Sequence, residues 1–313
     1  MLKRLSLLSL TLLLTLSLIG TSYVLLQTRN LEREQFDNLA SIAKLKAEQI
    51  ESWLQEREGD SINLFVSKNL ATSIEHLAQH PYDSELSRYI QERLSVLQMT
   101  YGYSSTLLVD PDGRLLLTVG DDSTMSAPAL QALKEAYAQS RVHRSNLYAD
   151  ERGRTHIDWI IPMLTKTDDG DKTVGAIVLR VDPTRFLYPL IEEWPVKRTT
   201  AETLLVRKQG ENVRFLNELR HAKDSALTLS QATDTSAINV EYGQSGTVRG
   251  LDYRNIEVLA AYRPIRGTDW SLIAKIDVEE LHAHIWQSVQ WLIAISVLAY
   301  GVVILAVWRV LSQ

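Results

Sequence analysis

The chain has 313 residues, with 33 Lys and Arg against 38 Asp and Glu, giving a net charge of -5 and a pI near 5.9. This balance argues against nucleic acid as a partner, and the absence of cysteine excludes disulfides, thiolate metal sites, cysteine nucleophiles and redox motifs. At 45% hydrophobic and 23% charged residues, the chain is large enough to bury one or two real cores.

Residues 5–28 carry no charge and follow Lys3 and Arg4. The run is long enough to span a bilayer. It exceeds the apolar core of a secretory leader and ends without a small-x-small cleavage site, so an uncleaved anchor is expected. The next stretch, "NLEREQFDNLASIAKLKAEQIESWLQEREGDSINLFVS", has no Pro and only Gly59 as a breaker. Its apolar positions Phe36, Leu39, Ala43, Ile50, Leu54 and Phe65 recur at threes, fours and sevens, the spacing of a long amphipathic helix. That seam has two readings: a partner helix in a parallel homodimer, or the chain's own sheets. Shorter helices are expected over 69–79 and 83–100, broken at Pro81.

"LLVDPDGRLLLTVG", 107–120, reads as two apolar strands around a turn at Asp112-Gly113. A helix over 126–140 follows, then the loop "RVHRSNLYADERGR" and a strand pair, "THIDWIIPML" with "GAIVLRVDPTRF". The pattern then repeats. "LLVRKQGENVRFLN", 204–217, matches the first hairpin, "VLAAYRPI" and "WSLIAKIDVEEL" match the closing strand pair, and a less distinct helix is expected over 222–233. A second uncharged run, 285–308, carries Trp286, Trp291, Tyr300 and Trp308 and is followed by Arg309. Basic residues outside both runs place the termini in the cytoplasm and residues 29–284 beyond the membrane.

These elements predict an α+β architecture. Residues 1–28 form the cytoplasmic N-terminus and first anchor, 29–100 the stalk and connecting helices, 101–190 a membrane-distal module, 191–284 a membrane-proximal module, 285–308 the second anchor and 309–313 a cytoplasmic stub.

An anchor, a long helix containing "IESWLQEREGD", two successive sheets and a second anchor resemble the double-Cache, tandem PAS-like sensor region of bacterial transmembrane receptors. The stretch "VLRVDPTRFLYPLIEEWPVKRTTAETLLVRKQGENVRFLNELRH" most specifically resembles sensors of multi-PAS histidine kinases and diguanylate cyclases. The resemblance implies an input device in the bacterial inner membrane, binding a small molecule in the distal module while the proximal one relays. It places a kinase, cyclase or chemotaxis output after the second anchor. Residues 309–313 are too few for one, so output is expected from a longer parent or a separate partner. A membrane-anchored structural protein without a small-molecule ligand is the alternative.

No catalytic or cofactor motif stands out: there is no G-x-S-x-G, phosphate loop or H-E-x-x-H pair. The acidic clusters at 121–122 and 168–171 read as turns. For the ligand, Asp158 draws notice because a carboxylate among Ile157, Trp159 and Ile160 is costly unless paired, and its counterpart in the second repeat is Ala260. It either contacts ligand or pairs with Arg180, which a tight hairpin sets opposite. Arg141, His143, Tyr148 and Arg154 are candidate donors at the pocket mouth, and Tyr101, Tyr103 and Trp159 a candidate aromatic wall. Strand side chains alternate, so Trp159 shares the face of Ile157 and Ile161 while Asp158 faces the other way. The amino-acid-binding branch of the resembled family carries Arg-x-Trp-Tyr where this chain has "HIDWII", which weakens amino-acid sensing. Asp182 matches that branch's Asp, but Asp277 repeats it in the second unit, and a helix N-cap role accounts for both.

Overall fold

The computed structural model describes residues 2–168, 170–195, 198–232 and 243–311. Helix α1 runs unbroken over Leu2–Phe65, about 95 Å at 1.5 Å per residue. α2 (Lys68–Gln79) and α3 (Ser84–Tyr101) return the chain. The side chain of Asp83 caps α3 by accepting from the Glu85 and Leu86 N–H groups, and Gly102 closes it at φ 70°, a left-handed cap that glycine adopts without a Cβ clash.

The first sheet comprises β1 (Ser105–Val109), β2 (Leu115–Gly120), β3 (His143–Arg144), β4 (Tyr148–Ala149), β5 (Thr155–Thr167) and β6 (Gly170–Val181). Its order is β2-β1-β6-β5-β3, with β4 also on β5 and every pair antiparallel. α4 (Ala127–Gln139) crosses one face. There Leu107, Val109, Ile160, Ala176 and Val178 pack under Ala132, Leu133 and Ala136. The opposite face, with Ile157, Trp159, Ile161, Ile177 and Leu179, joins the core that includes α1.

A short turn at 183–185 and α5 (Leu187–Glu192) lead to the second sheet. It contains β7 (Glu202–Gln209), β8 (Asn212–Phe215), β9 (Ser230–Ala232), β10 (Gly246–Leu251), β11 (Glu257–Pro264) and β12 (Trp270–Asp277), in the order β10-β11-β12-β7-β8-β9. Among the described residues, 222–232, the expected helix is not formed: residues 220–229 form turns and β9 follows, while 233 lies outside the described residues. The backbone there is satisfied by side chains instead. The Leu219 N–H donates to Ser225 Oγ, and the Ser225 N–H donates to the Glu218 carboxylate. Positive φ at Asp224 and Leu227 completes a path that helix cannot follow.

The α1 seam is spent inside the chain. Leu39, Ala43, Ile50 and Leu54 are buried in the shared core, Phe36 and Phe65 pack on it, and α1 lies against β5, β11 and β12. Its regular spacing is explained by burial against two sheets. Glu32, Glu48 and Glu51 meet Arg249, Arg263 and Arg266 of the second sheet's strands and turns. Further along α1, Trp53 and Arg57 meet Trp159 and Tyr103. The two sheets are therefore stacked along one helix.

β12 passes directly into α6 (Val278–Leu311). Among the described residues, no helix is long and apolar enough to cross a membrane. The two expected spans, 5–28 in α1 and 285–308 in α6, include many side chains that lie outside the described residues.

Candidate functional site

On the α4 side of the first sheet, Arg180 of β6 is 1% exposed and Asp158, its register partner on β5, is 0% exposed. Charge at such depth is tolerated only when each group is paired and hydrogen-bonded. Arg180 Nε donates to Asp158 Oδ1 at 3.0 Å and Nη2 to Oδ2 at 3.0 Å, a bidentate fork. Its Nη1 donates to Asp122 Oδ2 at 2.6 Å and to the Thr124 carbonyl at 2.8 Å. The Tyr148 hydroxyl donates to Asp158 Oδ2 at 2.6 Å and accepts from Arg180 Nη2 at 3.1 Å.

The network extends outward. Arg154 Nη2 bridges Asp122 Oδ2 at 3.0 Å and Asp150 Oδ2 at 2.8 Å, and His156 Nε2 lies 3.2 Å from Asp150 Oδ2. Burial by itself would raise the carboxyl of Asp122, but hydrogen bonds from Thr124 and the charges of Arg180 and Arg154 hold it below its ordinary value. Burial, then the Asp158 charge, pushes the Tyr148 hydroxyl well above its usual range, so it remains a donor. Burial would lower Arg180, yet Asp158 and the other partners raise it overall. Asp122, Asp150 and His156 could each offer a metal one atom within 4.8 Å of the others. The chain's own Arg154 and Arg180 already neutralise both carboxylates.

The second sheet repeats the plan with other residues. Lys275 of β12, also 1% exposed, reaches Asp252 Oδ2 at 2.7 Å and Glu202 Oε2 at 2.9 Å. Its ammonium stands 5.0 Å from the centre of the Tyr253 ring.

Beside Tyr148 opens a cleft of about 650 Å3, lined by α4, the β3–β4 segment and, from the second sheet and its turns, Arg207, Arg214 and Leu227. Of the sequence candidates, His143 and Tyr148 line it; Asp158 belongs to the buried network behind, and Arg154, its side chain 38% exposed, to the outer edge of that network. His143 Nε2 pairs with Glu135 at 3.0 Å. Arg141 is exposed and donates to Gln139.

The expected aromatic wall is not assembled. Trp159 lies on the α1 face, edge-on to Trp53 at 5.8 Å, because alternation sends it away from Asp158. The Tyr103 hydroxyl donates to Asp60 Oδ2 under the Arg57 guanidinium, and Tyr101 ends α3 with its carbonyl accepting from Arg57. Asp182 caps the 183–185 turn through Thr184. Asp277 does not repeat that role with its carboxylate, which pairs with Arg254. Asp122, read from sequence as part of a turn, is 5% exposed and central. Nothing in "GDDST" separates it from exposed Asp121; the signal that existed was Arg180 itself, a cation in an apolar strand.

Two six-stranded antiparallel sheets stacked on one long helix, each with a buried cation ringed by carboxylates, define a tandem α+β module. The chain belongs to the Cache domain family, whose double-Cache model matches residues 26–285; it is a Cache sensory domain. Among solved structures, the fold is similar to the ligand-binding domain of Mlp24 with asparagine, at 16% identity and a TM-score of 0.55 over 84% of this chain and 98% of that one. It is also similar to the ligand-binding domain of the Pseudomonas aeruginosa amino acid chemoreceptor PctC in complex with GABA, at 17% identity and a TM-score of 0.52 over 78% and 100%. A third is the extracellular domain of the putative histidine kinase mmHK1S-Z2, at 13% identity and a TM-score of 0.52 over 79% and 98%. No curated protein matches the sequence.

Proposed function

We propose that this chain is the sensing region of a two-pass bacterial membrane receptor, with residues 29–284 outside the cytoplasm. A small molecule binds at the membrane-distal module (101–190) and the membrane-proximal module (191–284) relays the event through α6 to a cytoplasmic output. The observation that carries the site is the cleft of about 650 Å3 beside Tyr148, a size suited to a small ligand. Similar folds solved with asparagine and with GABA support small-molecule binding. Support for the anchors is the pair of uncharged runs 5–28 and 285–308, each flanked by basic residues on its outer side, with Leu18, Leu26, Trp291 and Val297 turned to the exterior.

In this reading His143 and Tyr148 touch the ligand. Asp158 and Arg180 are positioning residues that fix the Tyr148 hydroxyl. Arg154 braces Asp122 and Asp150 behind the cleft, and Arg141 lies outside it on Gln139. Tyr101, Tyr103, Trp159 and Asp182 support the fold around α1 and the linker.

Two measurements test it. Reporter fusions at about residue 240 and at 313 should report opposite compartments; the same compartment for both would remove the two-pass topology. Thermal melts of the full chain in detergent, run against a metabolite panel, should show a saturable rise with at least one compound, because a ligand that binds only the folded state stabilises it. That rise should shrink in Tyr148→Phe. A flat response across the panel would favour a structural protein.

A further inference from the structure

Arg207 of β7 and Arg214 of β8 stand directly opposite each other in register. Like charges so placed repel and lower sheet stability. Arg207 is 9% exposed, and the Nε–H groups of both are buried with no acceptor among the described residues. Unsatisfied donors of this kind are costly, and two on facing residues of one cleft wall call for an explanation.

Both arginines line the cleft, and Arg144 joins them from the other sheet. Arg144 spends Nη2 on the Gly267 carbonyl at 2.7 Å and lies over the Trp270 ring. The acid on the cleft wall, Glu135, is engaged by His143. Asp269 acts on Arg207 and Arg144, and Glu58 on Arg144, without lining the cleft. Burial lowers Arg207 despite Asp269, and Arg214 lowers it further. The wall thus presents three guanidinium groups against one already paired carboxylate.

We infer that the cleft between the two sheets takes a small solute bearing two or more carboxylate or phosphate oxyanions, held by Arg207 and Arg214 with Arg144 at the opposite wall. A guanidinium meets such groups with a planar pair of donors, and an anion there relieves the repulsion between the facing arginines. This rests on the sensor reading and adds to it the ligand's class. It also gives the two sheets a shared ligand, since one wall belongs to α4 and the β3–β4 segment and the other to β7 and β8.

The test uses the full chain in detergent micelles, melted with citrate or inorganic phosphate against sodium chloride of equal ionic strength. A second set of asparagine, GABA and glucose is run in parallel. Citrate or phosphate should raise the melting temperature saturably. Arg207→Gln and Arg214→Gln should each weaken that binding about tenfold or more while raising the melting temperature of the ligand-free chain. Arg214, half-buried, serves as the milder variant if Arg207→Gln misfolds. No response to either anion, or variants that melt lower when ligand-free yet bind the anion as before, would overturn the inference. A response confined to the second set and reduced by Tyr148→Phe would overturn the anion class while leaving the sensor reading intact. Silence in both sets would remove both.

Discussion

Asp158 is where a single residue's chemistry is most exposed to test. Its two oxygens serve Arg180 twice and Tyr148 once, at 0% exposure. Asp158→Asn replaces one acceptor with a donor facing a guanidinium. Removing one member of a buried pair typically costs about 3–5 kcal/mol. Arg180 keeps Asp122 and the Thr124 carbonyl, so we expect the lower end of that range, about 3 kcal/mol, by denaturant titration of the ligand-free chain. A cost below about 0.5 kcal/mol, the scale of a surface substitution, would mean the pair is dispensable to the fold. The sequence exposed the problem at Asp158, a charge in an apolar strand, and offered Arg180 as its solution through hairpin register. It did not reveal Asp122, Asp150 or Tyr148 as co-ligands of the same guanidinium network, because Asp122 and Asp150 arrive from loops and Tyr148 from a two-residue strand, whose paths the apolar strand pattern does not encode.

At the scale of elements, α1 and α5 are joined by a buried lysine. Lys46 is 4% exposed, and its ammonium donates to the carbonyls of Leu190, Ile191 and Glu193, the C-terminal end of α5, where a cation complements the helix dipole. Burial brings its pKa down to about 8, partly opposed by Glu193. The folded value lies below the unfolded one, so the unfolded chain binds more protons between them and this residue's contribution to stability rises with pH above about 8. From pH 7 to 9.5 the wild type should gain on the order of 1–2 kcal/mol relative to Lys46→Met, measured as unfolding free energy. Parallel pH profiles for the two proteins would contradict this. The contrast between α4 and the 220–229 turns belongs to the same scale. Both follow a hairpin, but "APALQALKEAYAQ" has helical periodicity, whereas Glu218 and Ser225 supply local acceptors that compete with helix.

For the whole molecule, the path from the second sheet to α6 is covalent and short. β12 ends at Asp277 and α6 begins at Val278. The Glu280 carboxylate, in the first turn of α6, accepts from the Thr199 and Thr200 N–H groups and the Thr200 hydroxyl, tying the helix start to the segment that enters β7. A ligand shifts a receptor only by its differential affinity for two states, and that difference must be transmitted at this junction in the proposed mechanism. In the proposed receptor, inserting two glycines after Glu280 should leave ligand-induced thermal stabilisation intact and abolish the ligand-dependent change in output. Retained signalling would redirect the route to α1, which packs on both sheets and on α6.

The sequence by itself determined the local elements: α1 through its seam, the strand pairs through apolar runs and turn residues, the twofold repeat through matched spacing, and the opposite facing of Asp158 and Trp159 through strand alternation. Periodicity and turn chemistry are local properties, so they survive in one dimension. The tertiary structure decided what those elements meet. It set the α1 seam on the chain's own sheets, moved Trp159 and Tyr103 away from the cleft, drew Asp122 from a loop onto Arg180, and brought Arg207 and Arg214 opposite Arg144 of the other sheet. Each is a contact between residues distant in the chain, fixed by burial and charge pairing rather than by neighbouring residues.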